Sequence, residues 1–175
     1  MNIRAADLIT GFRAVLVVVL VAMAGRPAPT NVAWIIVVIA IVAVVLDGVD
    51  GWVARRTGTS SAFGMRFDME TDAALILVLA ILTWRNGKAG PWILGAGLLR
   101  YLFVGAGWVW PWMAQPLEPT PRGRLICVVQ IAALIIALAP IVVPPASTAV
   151  AALGLIALSY SFLVDTFRLA RRRTQ

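Results

Sequence analysis

An all-α fold, an integral membrane bundle of six transmembrane helices with cytosolic termini, is predicted by three observations: the composition, the spacing of the apolar runs and the distribution of arginine. Of 175 residues, 61% are hydrophobic and 13% charged, and the mean hydropathy is +0.92. Soluble domains average roughly 45–50% apolar and about 25% charged residues. This chain has too little polar surface to face water, so the bilayer must be its solvent. Apolar runs recur from Leu8 to Val164 without a repeat, a low-complexity tract or a second domain, and the chain reads as one domain over 1–175.

About 20 helical residues cross roughly 30 Å of hydrocarbon. Six segments meet this requirement: Leu8 to Ala24, Val32 to Val53, Gly64 to Trp84, Pro91 to Met113, Leu125 to Val143 and Ala146 to Val164. Short connections rich in Gly, Pro, Ser and Thr separate them. The first also has the outline of a secretory signal, with Arg4, Arg13 and an Ala22-Met23-Ala24 cleavage-like site. It is read as a retained span because Thr10 and Arg13 belong to a pattern met below.

An even number of spans places both termini on one side. With cytosolic termini the inner side holds Arg4, Arg13, Arg55, Arg56, Arg66, Arg122, Arg124, Arg168, Arg171, Arg172 and Arg173, and the outer side only Arg26, Arg85 and Lys88. The positive-inside rule selects that orientation. Trp34, Trp84 and Trp92 then fall near the outer interface, and Trp52, Trp108, Trp110 and Trp112 near the inner one. The net charge of +7 is accounted for by the same rule and by anionic lipid, particularly at Arg171 to Arg173, rather than by nucleic acid. The absence of histidine excludes His-dependent catalysis, and a single cysteine, Cys127, excludes an internal disulfide and a Cys-based zinc site.

The second and third spans carry the chemistry. Val32 to Leu46 is apolar for only 15 residues, about 22 Å of helix, and Ala73 to Trp84 for only 12, about 18 Å. To cross, the second helix must continue through Asp47 and Asp50, and the third must begin near Gly64 and carry Asp68 and Asp72. The pairs are spaced i, i+3 and i, i+4, so each shares one helix face, and a short loop predicts antiparallel neighbours whose acid faces converge. Acids at membrane depth are functional by default. Oxygen-only ligands suit Mg²⁺, Mn²⁺ or Ca²⁺. Surface pairing of the four acids with Arg55, Arg56 and Arg66 would leave their spacing unexplained. Gly51, Ala54 and Gly64 keep the backbone beside the carboxylates open to a flat or phosphorylated ligand, a use that competes with close helix packing.

Together, Asp47-Gly-Val-Asp50-Gly51-Trp-Val-Ala54-Arg55, eight residues, and Gly64-Met-Arg-Phe-Asp68-Met-Glu-Thr-Asp72 fit D-x-x-D-G-x-x-A-R-x8-G-x-x-x-D-x-x-x-D. This resembles the signature of the CDP-alcohol phosphotransferases (CDP-alcohol phosphatidyltransferases). Leu8-Ile-Thr10-Gly-Phe-Arg13 resembles the L-T-x-x-R start of many members. The resemblance implies transfer of a phosphatidyl-type group from a CDP-linked donor, commonly CDP-diacylglycerol, to the hydroxyl of a small polar alcohol, with release of CMP. It implies that Asp47, Asp50 and Asp68 ligate metal, that Asp72 completes the site and is the general base, and that Gly51, Ala54, Arg55 and Gly64 belong to the nucleotide pocket. It further implies two Mg²⁺ or Mn²⁺ ions, a homodimer and an inner (plasma) membrane location with the site facing the cytosol. Ala73 departs from the Lys or Arg that follows the last aspartate in phosphatidylglycerophosphate and phosphatidylinositol phosphate synthases, so the acceptor stays open. Glu70 lies about 200° around the helix from both Asp68 and Asp72 and is read as solvated or dimer-facing.

Arg100 sits inside the fourth span, where an arginine costs about 2.5–3.5 kcal/mol on insertion scales, and must face an interior. It is expected to bind an anionic acceptor or to pair with one of the four aspartates. Arg122 and Arg124 are further acceptor candidates, with Gln130 along the same helix and Tyr101 beside Arg100. Gly95, Gly97, Gly105 and Gly107 are expected to permit close packing, Asp165 to pair with Arg168, and Cys127 to pack. A divalent-cation transporter is the rival reading. It calls for acids strung through the membrane, whereas the four here share one face. An idle scaffold is disfavoured because every signature residue is intact.

Overall fold

The computed structural model describes residues 5–25, 28–57, 62–110, 112 and 121–172. They form six α-helices, α1 Ala5–Met23, α2 Thr30–Thr57, α3 Ala62–Arg85, α4 Gly95–Val109, α5 Pro121–Leu138 and α6 Ala146–Arg172, with a 3₁₀ turn at Pro91–Leu94 leading into α4. No strand occurs among the described residues. Helices α2 and α3 do run through Asp47 and from before Asp68, as the length argument requires. Helix α5 stops at Leu138, short of Val143, because Pro140 lacks an amide donor and Pro144 and Pro145 follow. Helix α6 continues past Val164 to Arg172.

Three stretches among the described residues are long and apolar enough to cross a bilayer: Thr30–Val49, Pro91–Val109 and Ala146–Arg171. Gly11–Met23 is a shorter apolar helix, and α3 gathers Arg66, Asp68, Glu70 and Asp72 near its start. Large apolar side chains point outward, among them Val18 on α1, Val38 and Val45 on α2, and Leu153, Ile156 and Leu163 on α6. Such continuous apolar exterior belongs against lipid.

The core is organised around α3, which buries Leu75, Ile76, Val78, Leu79, Ala80, Leu82 and Thr83 on nearly all sides. It packs on α1, α4, α5 and the 3₁₀ turn. Helix α1 presents Arg13, Val17 and Leu20 inward, an i, i+4, i+7 stripe. Helices α5 and α6 pack against each other, and Phe103 of α4 meets Phe162 of α6 with ring centroids 5.6 Å apart. Helices α2 and α3 share no backbone contact among the described residues; each packs on α1 and on α5 instead. The expectation of direct antiparallel neighbours is corrected, and α1 supplies the surface that brings the two acid-bearing helices to one place.

Of the α4 glycines, Gly97 is the one whose close approach is plain: a Cβ there would lie 2.5 Å from Leu77 Cα, while Gly95 and Gly105 have open space. Gly97→Ala is therefore expected to push α4 off α3 and cost about 1–3 kcal/mol, seen as a lowered Tm, whereas Gly105→Ala leaves Tm unchanged or slightly raised.

At the end away from the aspartates, the loop after α3 ties three connections together. Gly87 takes φ +67° to end α3. Asn86 Oδ1 accepts from the Ala28 amide at 2.8 Å, and Arg85 Nη2 donates to the Gly25 carbonyl at 3.0 Å. Lys88 Nζ donates to the carbonyls of Ala139 at 3.2 Å and Val142 at 2.6 Å. Its own carbonyl accepts from Ser147 Oγ at 2.7 Å and Thr148 Oγ1 at 3.0 Å.

Candidate active site

At the opposite end, three carboxylates from two helices meet. Asp47 comes from the second half of α2, and Asp68 and Asp72 come from successive turns of one α3 face. Each offers an oxygen within 4.8 Å of the others. Arg13 of α1 reaches all three. Its Nη1 lies 2.9 Å from Asp47 Oδ1 and 2.5 Å from Asp68 Oδ1, and its Nη2 lies 2.6 Å from Asp72 Oδ1. A fixed guanidinium fork suits this task, since its donors diverge in one plane toward several acceptors.

Hard oxygens at this spacing fit a divalent cation of the Mg²⁺, Mn²⁺ or Ca²⁺ kind, with no imidazole or thiolate ligand in the described group. Among the described side chains three carboxylates face one guanidinium, a balance that a divalent cation would improve. The side chains of Asp50, Ala54 and Arg55 lie outside the described residues. Gly51 is half-buried on α2, one turn past Asp47, and Gly64 is half-buried in the first turn of α3, one turn before Asp68.

A model of the CDP-alcohol phosphatidyltransferase family matches residues 3–164. The chain belongs to that family. As a CDP-alcohol phosphatidyltransferase it is a membrane transferase of phospholipid biosynthesis that moves a phosphatidyl group from a CDP-alcohol to an alcohol, and its family generally uses divalent metals. The three-aspartate group is the part of this phosphatidyltransferase suited to such an ion.

The remaining expectations divide. Arg100 pairs with none of the four aspartates: its Nη2 lies 2.5 Å from Glu70 Oε1, in a partly exposed pair. Glu70 is thus an ion-pair partner between α3 and α4. Its position about 200° from the aspartate face aims it at α4 while Asp68 and Asp72 face α1. Arg122 Nη2 lies 2.7 Å from Asp165 Oδ1, joining α5 to α6. The i, i+3 pairing of Asp165 with Arg168 gives way to this pairing, because Asp165 faces the neighbouring helix. Arg124 and Tyr101 are exposed. Gln130 is fully buried, and a Cβ at Gly154 would come 2.7 Å from its Oε1. Cys127 packs at the edge of the core, as expected.

The member of this site that the sequence reading left without a task is Arg13. A signal was present: it is the single cation in the first apolar segment after Arg4, and it shares a helical stripe with Val17 and Leu20.

Proposed function

We propose that this chain, 1–175, is one catalytic domain that transfers a phosphatidyl group from CDP-diacylglycerol to the hydroxyl of a small polar alcohol, releasing CMP on the cytosolic side of the inner membrane. The observation that carries the reading is the meeting of Asp47, Asp68 and Asp72 at one end of an otherwise apolar bundle. A diacyl donor keeps its chains in the bilayer while its pyrophosphate reaches that depth. Cation transport is less well supported, because Glu70 and Asp165 pair at the same end instead of extending a path.

In this reading Asp47, Asp50, Asp68 and Asp72 hold Mg²⁺ or Mn²⁺, two ions in the family pattern, with both termini cytosolic and the chain working as a homodimer. Held by these carboxylates, a divalent ion would supply positive charge for the donor pyrophosphate and for the charge that develops on CMP as it leaves. Asp72 takes the proton from the acceptor hydroxyl as that oxygen attacks the phosphorus. Its bond from Arg13 Nη2 fixes the carboxylate plane, so that the attacking hydroxyl meets an oriented acceptor. Gly51, Ala54 and Gly64 keep side chains out of the nucleotide's way, and Arg55 binds a donor phosphate oxygen. Arg100, Arg122 and Arg124 are the cations available to an anionic acceptor. The first two are already half-engaged, so an acceptor would share or displace Glu70 and Asp165.

The deciding experiment supplies labelled CDP-diacylglycerol and a panel of alcohols (glycerol phosphate, inositol phosphate, serine and aminoalcohols) to the purified protein in lipid, and identifies the product. One alcohol yielding a lipid with equimolar CMP establishes the reaction; CMP release with no lipid product rejects transfer. In the same assay Arg55→Ala is expected to raise the donor KM about tenfold, on the scale of one lost charge-assisted hydrogen bond, with the acceptor KM nearly unchanged. An unaltered donor KM removes Arg55 from the pocket.

A further inference from the structure

We propose that Arg13 is a positioning residue of the metal centre: a buried guanidinium floor that holds the carboxylates of α2 and α3 in register and stays in place when the ion binds above it. The inference rests on the metal-site reading given above.

Three observations lead to it. The first is a gradient of exposure. The Arg13 side chain is 1% exposed, while those of Asp47, Asp68 and Asp72 are 15%, 36% and 23% exposed. The cation therefore lies on the protein side of the acids, and the acids lie between it and the outside. A metal arriving from the cytosolic side meets carboxylates already gripped from beneath, with Arg13 out of its path.

The second is connectivity. Helices α2 and α3 do not pack on each other among the described residues, and both pack on α1. Asp47 is consequently tied to Asp68 and Asp72 through the helices that α2 and α3 share, not through a direct α2–α3 contact. The side chain that spans the gap is Arg13, which touches Asp47 of α2 and both Asp68 and Asp72 of α3. Without it, three like charges would repel across that gap.

The third is the geometry of the fork. Nη1 is shared by Asp47 and Asp68, and Nη2 serves Asp72, so the planar group sets the three carboxyls relative to one another. Hydrogen-bonded partners behind ligating carboxylates characteristically orient them, and losing such a partner costs about 10–100-fold in metal affinity or activity.

The test is Mn²⁺ binding by electron paramagnetic resonance on the full chain in nanodiscs, for the wild type, Arg13→Lys and Arg13→Gln, beside Tm measured without metal. Lysine keeps the charge but loses the fork; glutamine loses the charge. Both are expected to bind Mn²⁺ about 10–100-fold more weakly than the wild type. Tighter binding by Arg13→Gln would show that Arg13 competes with the ion, and would overturn the proposal. Unchanged affinity with only a lowered metal-free Tm would reduce Arg13 to a purely structural ion pair and overturn it equally. A wild type that binds no Mn²⁺ rejects the metal reading itself and the inference with it. Should neither variant fold, phenylglyoxal labelling of the wild type, read by mass spectrometry, decides. Arg13 is expected to stay unmodified both without metal and with saturating Mn²⁺, and labelling gained on Mn²⁺ addition would mean displacement.

Discussion

Asp72→Asn is expected to lower kcat by roughly 10²–10⁴-fold, the usual contribution of a positioned general base, while donor binding persists. Asparagine keeps the shape and can still accept from Arg13 through its carbonyl, so the three-way bridge among α1, α2 and α3 is preserved. What disappears is the basic oxygen that takes the acceptor proton. The measurement is single-turnover CMP release at saturating donor and acceptor, which separates the chemical step from binding. Because Asp72 also belongs to the proposed metal set, any loss beyond that range is expected to be partly rescued by excess Mg²⁺. Substantial turnover by Asp72→Asn would remove it from the general-base role.

Removal of the divalent ion should have an effect at least as large. In excess EDTA, turnover is expected to fall to background and to return on adding Mg²⁺ or Mn²⁺. Asp47→Asn and Asp68→Asn should each raise the metal concentration needed for half-maximal activity by at least about tenfold, since ligand charge count tunes oxygen-only sites strongly. The two substitutions probe different helices. Equal effects would mean that α2 and α3 contribute to one shared site. Full turnover in EDTA would reject metal dependence.

The aspartates of this site were legible in the sequence for a mechanical reason. The apolar stretch before Asp47 and the one after Asp72 are each too short to cross a bilayer, so the helices had to extend through the acids, and they do. The way those helices meet was not legible. Spacing along a helix reports which residues share a face, but not what stands opposite, and a short loop suggested a direct α2–α3 contact where α1 intervenes. Arg13 was visible only as a pattern member because Asp47, Asp68 and Asp72, which it reaches, lie 34, 55 and 59 positions away. Arg100 shows the same limit. The cost of a charge in a span predicts that it is paired, and it is, but the choice of Glu70 over an aspartate depends on which face of α3 meets α4. The early end of α5 was readable in principle, since Pro140 stands inside the expected span.

The two ends of the bundle are fastened by different forces. Around Arg85, Asn86 and Lys88 the bonds run to backbone carbonyls and amides, so they persist whatever the ionisation of any carboxylate. At the other end the helices are clasped by ion pairs, Arg13 to its three aspartates, Arg100 to Glu70 and Arg122 to Asp165. Such a molecule is built like a pair of tongs, with its pivot at the loop after α3 and its jaws at the acid end. Changes of charge between the jaws, such as the arrival of a cation, a pyrophosphate or a phosphorylated alcohol, alter the grip there without disturbing the pivot.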